Sequence, residues 1–215
     1  MNTQNQNYIP KMVILSKRTT DILIAAMGLL ISAILFPFIA IAIKLTSPGP
    51  ILFKQMRIGL AEPDRTHIFW MYKFRTMGVN AESKSGAVWA TQGDPRVTPI
   101  GLFLRKSRLD ELPQLFNVLR GDMSLIGPRP ERPGFYQKLE QAIPFFAERT
   151  WGIKPGITGL AQVNQGYDRD IEDVRSKVAF DHSYALNLCT FYSWLKCDLM
   201  IVVRTLVVMA CGRGQ

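Results

Sequence analysis

A mostly helical α+β domain that works at a membrane is the fold class this sequence predicts, and three observations carry it. From Ile22 to Ile43 stand 22 residues without a charge, enough at a helical rise of about 1.5 Å per residue to cross a bilayer's hydrocarbon. Between Ile51 and Met77 lie two β-rich segments parted by a short polar loop, spaced like a hairpin. Near the C-terminus, Phe191 to Met209 is apolar but broken by Lys196, Asp198 and Arg204, the pattern of an amphipathic helix lying at an interface rather than of a second span.

Composition bounds the rest. The 215 residues, 47% apolar, suffice for one domain plus an appended element and exclude a disordered chain. Lys and Arg number 26 against 17 Asp and Glu, and the net charge of +9 calls for an anionic partner: nucleic acid, nucleotide or acidic lipid. Cys189, Cys197 and Cys211 are odd in number and lack metal-ligand spacing, so they read as reduced structural thiols and not as a disulfide framework.

The apolar segment is too long for a signal peptide, and a basic stretch follows where a small-residue cleavage site would be, so it reads as retained. Lys11, Lys17 and Arg18 precede it, and Lys44, Lys54, Arg57 and Arg65 follow, which gives no orientation by charge. Pro37 removes one helical hydrogen bond and predicts a kink, with Ser32 one turn earlier as a partner for freed backbone groups. A kinked span and two half-helices that enter and leave by one face both fit these residues, and the span is the commoner arrangement. Residues 1–46 form this tail and membrane helix, and residues 47–215 the domain that follows.

The turn cluster Thr46–Pro50 leads into strand 51–59, loop 60–66 and strand 67–77. Period two places Lys73 and Arg75 on one face, either a solvated strand face or an anion-binding one. Residues 79–95 read as a polar, lid-sized loop. Thr98 and Pro99 then open a helix as N-cap and first-turn proline, and Pro113 forces a break before a further helix through Arg120. Asp110 and Glu111 sit at that break, framed by Arg105, Lys106, Arg108 and Arg120. Carboxylates among so many cations should stay ionised and serve as nucleophile or magnesium ligand. A helix start there would favour the anion and aim amides at a phosphate. The competing reading is a capping box from Ser107 to Asp110. Downstream, Gly127-Pro128-Arg129-Pro130 fixes one guanidinium between prolines, suited to gripping a phosphate or to an ordinary extended turn. Lys154-Pro155-Gly156-Ile157-Thr158-Gly159 offers amides that could wrap an anion, although most such turns bind nothing.

The order of these pieces carries a resemblance. YKFRTM at 72–77, DPRVTPIG at 94–101, LRKSRLDELPQLFNVLRGDMSLIGPRP at 104–130 and KPGITGLAQVN at 154–164 closely resemble the bacterial sugar transferase family, the monotopic phosphoglycosyl transferases, from Lys17 to about Thr205. The resemblance implies transfer of a phospho-sugar from a UDP-sugar to a polyprenyl phosphate such as undecaprenyl phosphate, with UMP released and surface glycan assembly begun. It implies Asp110 as nucleophile and Glu111 beside it as support for Mg2+, which Mn2+ could replace. Both would be metal ligands, with Lys73, Arg75, Arg105 and Arg129 binding substrate. Ala179 to Tyr184 is similar to a family segment with an acidic residue before an aromatic pair, which adds Asp181 as a substrate-site or metal-site carboxylate; His182 and Ser183 interrupt that pattern. The implied fold is monotopic, with a re-entrant N-terminal helix, a small hairpin and interfacial amphipathic helices. The family bends its helix at a Ser-Pro pair, whereas here the proline follows Phe36 about one turn later. The implied location is the cytoplasmic (inner) membrane of a bacterium, with the site facing the cytosol. Membrane lipids are partners and nucleic acid is not, and the resemblance admits homo-oligomers and downstream glycosyltransferases. The rivals are a silent membrane adaptor and a glycosyltransferase that moves sugar alone and releases UDP.

Overall fold

The structure, a computed structural model, describes residues 8–79, 81, 93–166 and 170–211. It is mostly helical. Helix α1 (Lys11–Thr46) leads to the strands β1 (Leu52–Glu62) and β2 (Arg65–Phe74), then α2 (Pro99–Lys106), a 3-10 turn at Leu109–Glu111, α3 (Gln114–Arg120) and β3 (Ser124–Ile126). There follow α4 (Pro133–Ala142), a second 3-10 turn at Ala147–Thr150, β4 (Gly156–Thr158), α5 (Leu160–Asn164), α6 (Ile171–Asn187) and α7 (Phe191–Ala210). Most of the lid-sized loop expected over residues 79–95 lies outside the described residues.

Helix α1 is assigned without a break through Pro37. The hydroxyl of Ser32 donates to the carbonyl of Gly28 at 2.6 Å and so does not serve the carbonyl released by the proline, a correction to its expected role. One face of α1 packs on the domain along its length. Val13 joins the cluster around Ile126, Trp194 and Ile201; Ala25 meets Phe69, Met71 and Leu115; Ile39 and Ile43 meet Phe74 and Leu104. The other face leaves Leu23, Met27, Leu30, Ile34, Phe38 and Ile41 exposed. Both ends of this apolar helix therefore contact one domain. Polar ties fix its start: Arg18 donates to the carbonyls of Val118 (2.6 Å) and Leu119 (2.7 Å), closing the end of α3. Buried Asp21 accepts from the Ser124 hydroxyl (3.1 Å) and the Leu125 amide (2.9 Å).

The hairpin is longer than the sequence pattern suggested. Ala61 pairs with Thr66 and Glu62 with Arg65, leaving Pro63 and Asp64 as the turn, and a register shift between Ile58 and Ala61 absorbs the mismatch. Asn117 of α3, fully buried, copies a neighbouring strand against β2: its side chain accepts from the Tyr72 amide (3.1 Å) and donates to the Trp70 carbonyl (2.7 Å). A second small sheet pairs β3 and β4 in parallel; segments this short carry no readable period.

Helix α7 has the expected two faces. Trp194, Cys197 and Ile201 are buried, while Leu199, Val203, Leu206 and Val207 are exposed. Asp198 belongs to the inner side, where it accepts from Lys17 (3.1 Å), Trp194 (2.7 Å) and Tyr184 (2.9 Å). The three cysteines are free.

Candidate active site

Asp110 and Glu111 lie on the 3-10 turn between α2 and α3, each only 7% exposed. Helix α2 starts as expected, with the Thr98 hydroxyl accepting from the Gly101 amide at 3.0 Å. It ends at Lys106, and Arg108 two residues on, with a left-handed φ of 58°, turns the chain into the buried acidic pair. The capping box does not form. Ser107 donates back to the carbonyl of Phe103 at 2.8 Å, and α3 begins four residues after Asp110, at Gln114, with Pro113 before it. Asp110 is thus no helix cap, and the expected help from a helix N-terminus is absent because α3 is short and starts too late.

Period two decides the fate of Lys73 and Arg75. Lys73 shares the inner face of β2 with Phe69 and Met71, and Arg75, one residue past the strand, is buried too, so neither stands on a solvated face. Lys73 Nζ donates to Glu111 Oε1 at 2.7 Å, and Arg129 Nη1 lies 3.7 Å from the same oxygen. Burial pushes the Glu111 carboxyl up, but Lys73, Arg129 and Arg108 together outweigh it and hold the group at about 2. Burial lowers the Lys73 ammonium, with Glu111 opposing. Asp110 goes the other way. Its burial raises the carboxyl above the ordinary value, Lys73 pulls down, and Glu111 raises it further. The two neighbours thus shift in opposite directions: cations outweigh burial at Glu111, and burial outweighs them at Asp110.

Arg105 acts on Asp110 by charge and donates from Nε to the Thr76 hydroxyl at 2.9 Å. Arg75 is directed elsewhere. Its guanidinium donates to the carbonyls of Pro48 and Ser47 just past the end of α1. Gly49, at φ 115°, makes the room: a Cβ there would lie 2.3 Å from Arg75 Nη1. Asp181 is likewise not joined to the acidic pair. It is buried on α6 and pairs with Arg149 at 2.9 Å. Burial raises its carboxyl, with Arg149 pulling against the rise. Arg149 spends its other nitrogen on the carbonyl of Arg129, at 2.9 Å.

That bond is one of four. The carbonyl of Pro128 accepts from the Gly156 amide (2.9 Å), Arg129 from Arg149 (2.9 Å), Pro130 from Arg57 (3.1 Å) and Glu131 from the Ile58 amide (2.8 Å). Four successive carbonyls are held from β4, the 3-10 turn and β1, and the loop presents Arg129 to Glu111 with little freedom. The glycine-rich segment 154–159 takes part in this clamp: a Cβ on Gly156 would stand 2.1 Å from the Gly127 amide. Only a bare backbone approaches that closely.

The donor set suits a hard divalent cation, which takes oxygen ligands and keeps substrate phosphates or waters in its shell. Both contacts on Glu111 fall on Oε1, so Oε2 and the Asp110 carboxylate are the oxygens that would hold magnesium. Among the described residues no cluster of three or more His, Cys, Asp or Glu forms a protein-only metal cage.

The model of the family described as bacterial sugar transferase matches residues 12–212. The chain belongs to that family. It is 46% identical over 198 residues to the UDP-N-acetylgalactosamine-undecaprenyl-phosphate N-acetylgalactosaminephosphotransferase of Aeromonas hydrophila, covering 92% of this chain and 44% of that protein. It is 42% identical over 200 residues to the UDP-glucose:undecaprenyl-phosphate glucose-1-phosphate transferase of Caulobacter vibrioides, covering 92% and 71%. With the protein of the same name from Escherichia coli it shares 43% over 194 residues, covering 89% and 39%. This bacterial sugar transferase thus spans less than half of the Aeromonas and Escherichia relatives.

Sequence reasoning on this sugar transferase passed over Arg149, Arg57 and Asn117. The spacing of these two arginines carries no signal, and they reveal themselves only through the carbonyls they reach. Asn117 left a trace, a poor helix former between Leu115 and Val118 where an apolar residue would be ordinary.

Proposed function

We propose that this chain transfers a sugar 1-phosphate from a UDP-sugar to a polyprenyl phosphate, through a covalent intermediate on Asp110, at the cytosolic face of a bacterial inner membrane. The observation that carries the reading is the division of labour in the acidic pair. Glu111 is committed to Lys73 and Arg129, while Asp110 beside it, buried and facing the charges of Lys73, Arg105 and Arg108, is the carboxylate we assign to the attack. The names of the relatives support the same chemistry.

In the first step an Asp110 oxygen attacks the sugar-bearing phosphorus. The bond from that phosphorus to the UMP oxygen breaks, and UMP leaves with the electron pair. In the second, an oxygen of the polyprenyl phosphate attacks the same phosphorus and the Asp110 carboxylate departs. Arg129, fixed by its clamped loop, and Arg105 are the cations we assign to meet charge on the transferring group. Lys73 keeps Glu111 ionised and in place. Magnesium, when bound at Asp110 and Glu111 Oε2, would neutralise diphosphate oxygens.

Helix α1 supports the membrane arrangement. A helix whose first and last turns pack on one domain, and whose other face is bare and apolar, fits insertion from one side of the bilayer rather than a crossing. The site then meets a lipid phosphate at the surface while the nucleotide arrives from the cytosol.

The test is the released nucleotide, measured with polyprenyl phosphate and a panel including UDP-N-acetylgalactosamine and UDP-glucose. UMP, together with a phospho-sugar adduct on the peptide containing Asp110, is the expected result. UDP would show transfer of sugar alone, and no nucleotide from any donor would favour an adaptor.

A further inference from the structure

We infer that the cleft between α3, the β4–α5 junction and α7 seats the first isoprene units of the lipid acceptor, with Gln162 donating to the acceptor's phosphate. The inference rests on the phosphotransfer reading above and adds where the second substrate binds. The cleft has a volume of about 190 Å³, and its walls include Leu112, Leu115, Val208 and Met209, with Arg108 and Glu111 also lining it. One apolar pocket therefore touches Glu111, the chain neighbour of Asp110, and a cation at once. That is the combination a phosphate on a hydrocarbon chain requires.

Two observations choose this occupant. The first is continuity with the lipid-facing surface. Met209 lines the cleft and is itself exposed, as are its neighbours Leu206 and Val207 on α7. Leu115 lies against the membrane helix, 2.8 Å from where a Cβ on Gly28 would stand. A chain whose head fills the cleft can run out along α7 into the bilayer without exposing hydrocarbon to water. The second is Gln162, which lines the cleft with both Nε2 and Oε1 buried and without a hydrogen-bond partner among the described residues. A buried amide left unpaired is costly, so its place in a cleft that Arg108 also lines suits a ligand that accepts from Nε2, as a phosphate oxygen does. The donor's uracil would use the amide as well, but it gains nothing from an opening onto the membrane face.

Val208→Trp, which fills the cleft, and Gln162→Leu, which removes the donor, separate the two half-reactions. Each should raise the KM for polyprenyl phosphate about tenfold while the single-turnover burst of UMP from donor alone stays at the wild-type level. An unchanged acceptor KM in both variants would overturn the inference. So would a lost burst with unchanged acceptor KM, which would assign the cleft to the nucleotide. If wild type gives no burst with any donor, the phosphotransfer reading fails and the cleft is judged by crosslinking alone. A diazirine-bearing short-chain polyprenyl phosphate in phosphatidylethanolamine–phosphatidylglycerol vesicles should label the peptides around Leu112–Leu115 and Val208–Met209. Unlabelled polyprenyl phosphate should compete. Labelling elsewhere, no labelling, displacement by UDP, or equal competition by phosphatidylglycerol would overturn the assignment.

Discussion

Arg149 donates a 2.9 Å hydrogen bond to the backbone carbonyl of Arg129, so a side chain with no place at the acidic pair sets the position of one that has. Arg149→Lys keeps a cation for Asp181 but cannot hold both partners in the same planar geometry. The variant should fold, with kcat down about 10- to 100-fold and a smaller change in donor KM. Arg149→Ala leaves the Asp181 carboxylate buried without its cation and should cost about 3–5 kcal/mol of stability. Steady-state kinetics beside denaturant titration separate the two effects.

Lys73 is the hydrogen-bonded cation on Glu111. Lys73→Met should lower kcat roughly 100- to 1000-fold, the range for loss of a preorganised charge at a reacting centre. Donor binding measured by calorimetry should change less. A variant with full activity would remove Glu111 from the reaction.

The Glu111 carboxyl, held at about 2 against an ordinary 4.5, also makes a statement about acid. A depressed pKa gives stability that is fully present above the unfolded value and is lost as pH falls through the folded one. Wild type should therefore lose stability between roughly pH 4.5 and 2 through this group, by an amount on the order of 3 kcal/mol. Glu111→Gln should show a flatter acid limb in thermal melts over the same window.

Arg75 separates structure from chemistry. Its contacts are the carbonyls of Ser47 and Pro48, so Arg75→Ala should cost about 1–3 kcal/mol of stability and leave both KM values near wild type. Gly49→Ala should destabilise in the same way, because its φ of 115° and the Arg75 seat both exclude a Cβ. A large fall in kcat at unchanged stability would return Arg75 to the substrate site.

How α1 enters the bilayer is open to labelling. Cysteines placed at Lys11 and Lys54, in a background without the native ones, should both react with an impermeant maleimide in inside-out vesicles and resist it in intact spheroplasts. Reaction on opposite sides would establish a crossing helix.

Much of this was legible before any coordinates. Hydropathy alone locates α1, strand period puts Lys73 and Arg75 on one face, and Thr98 with Pro99 marks the start of α2. The acidic pair stood out because Asp110 and Glu111 interrupt an apolar pattern among fixed cations. What was not legible depends on distance in space. Nothing in the order of residues says that Arg75 reaches back to the end of α1, that Asp181 meets Arg149, or that four carbonyls of the loop at Arg129 find donors from three elements. The opposite shifts of Asp110 and Glu111 were hidden for the same reason: the residues are adjacent in the chain, and only folding gives one of them the lysine.

The packing of both ends of α1 on one body has a consequence for where this protein can operate. A helix that crosses a bilayer must match its apolar length to the thickness of the hydrocarbon, and mismatch is relieved by tilt or by deforming lipid. On the one-sided insertion proposed above, α1 has no far side to reach. Turnover in vesicles of short-chain and long-chain lipids should therefore be nearly the same, and the fluidity and charge of the leaflet it rests on, not membrane thickness, should set the pace.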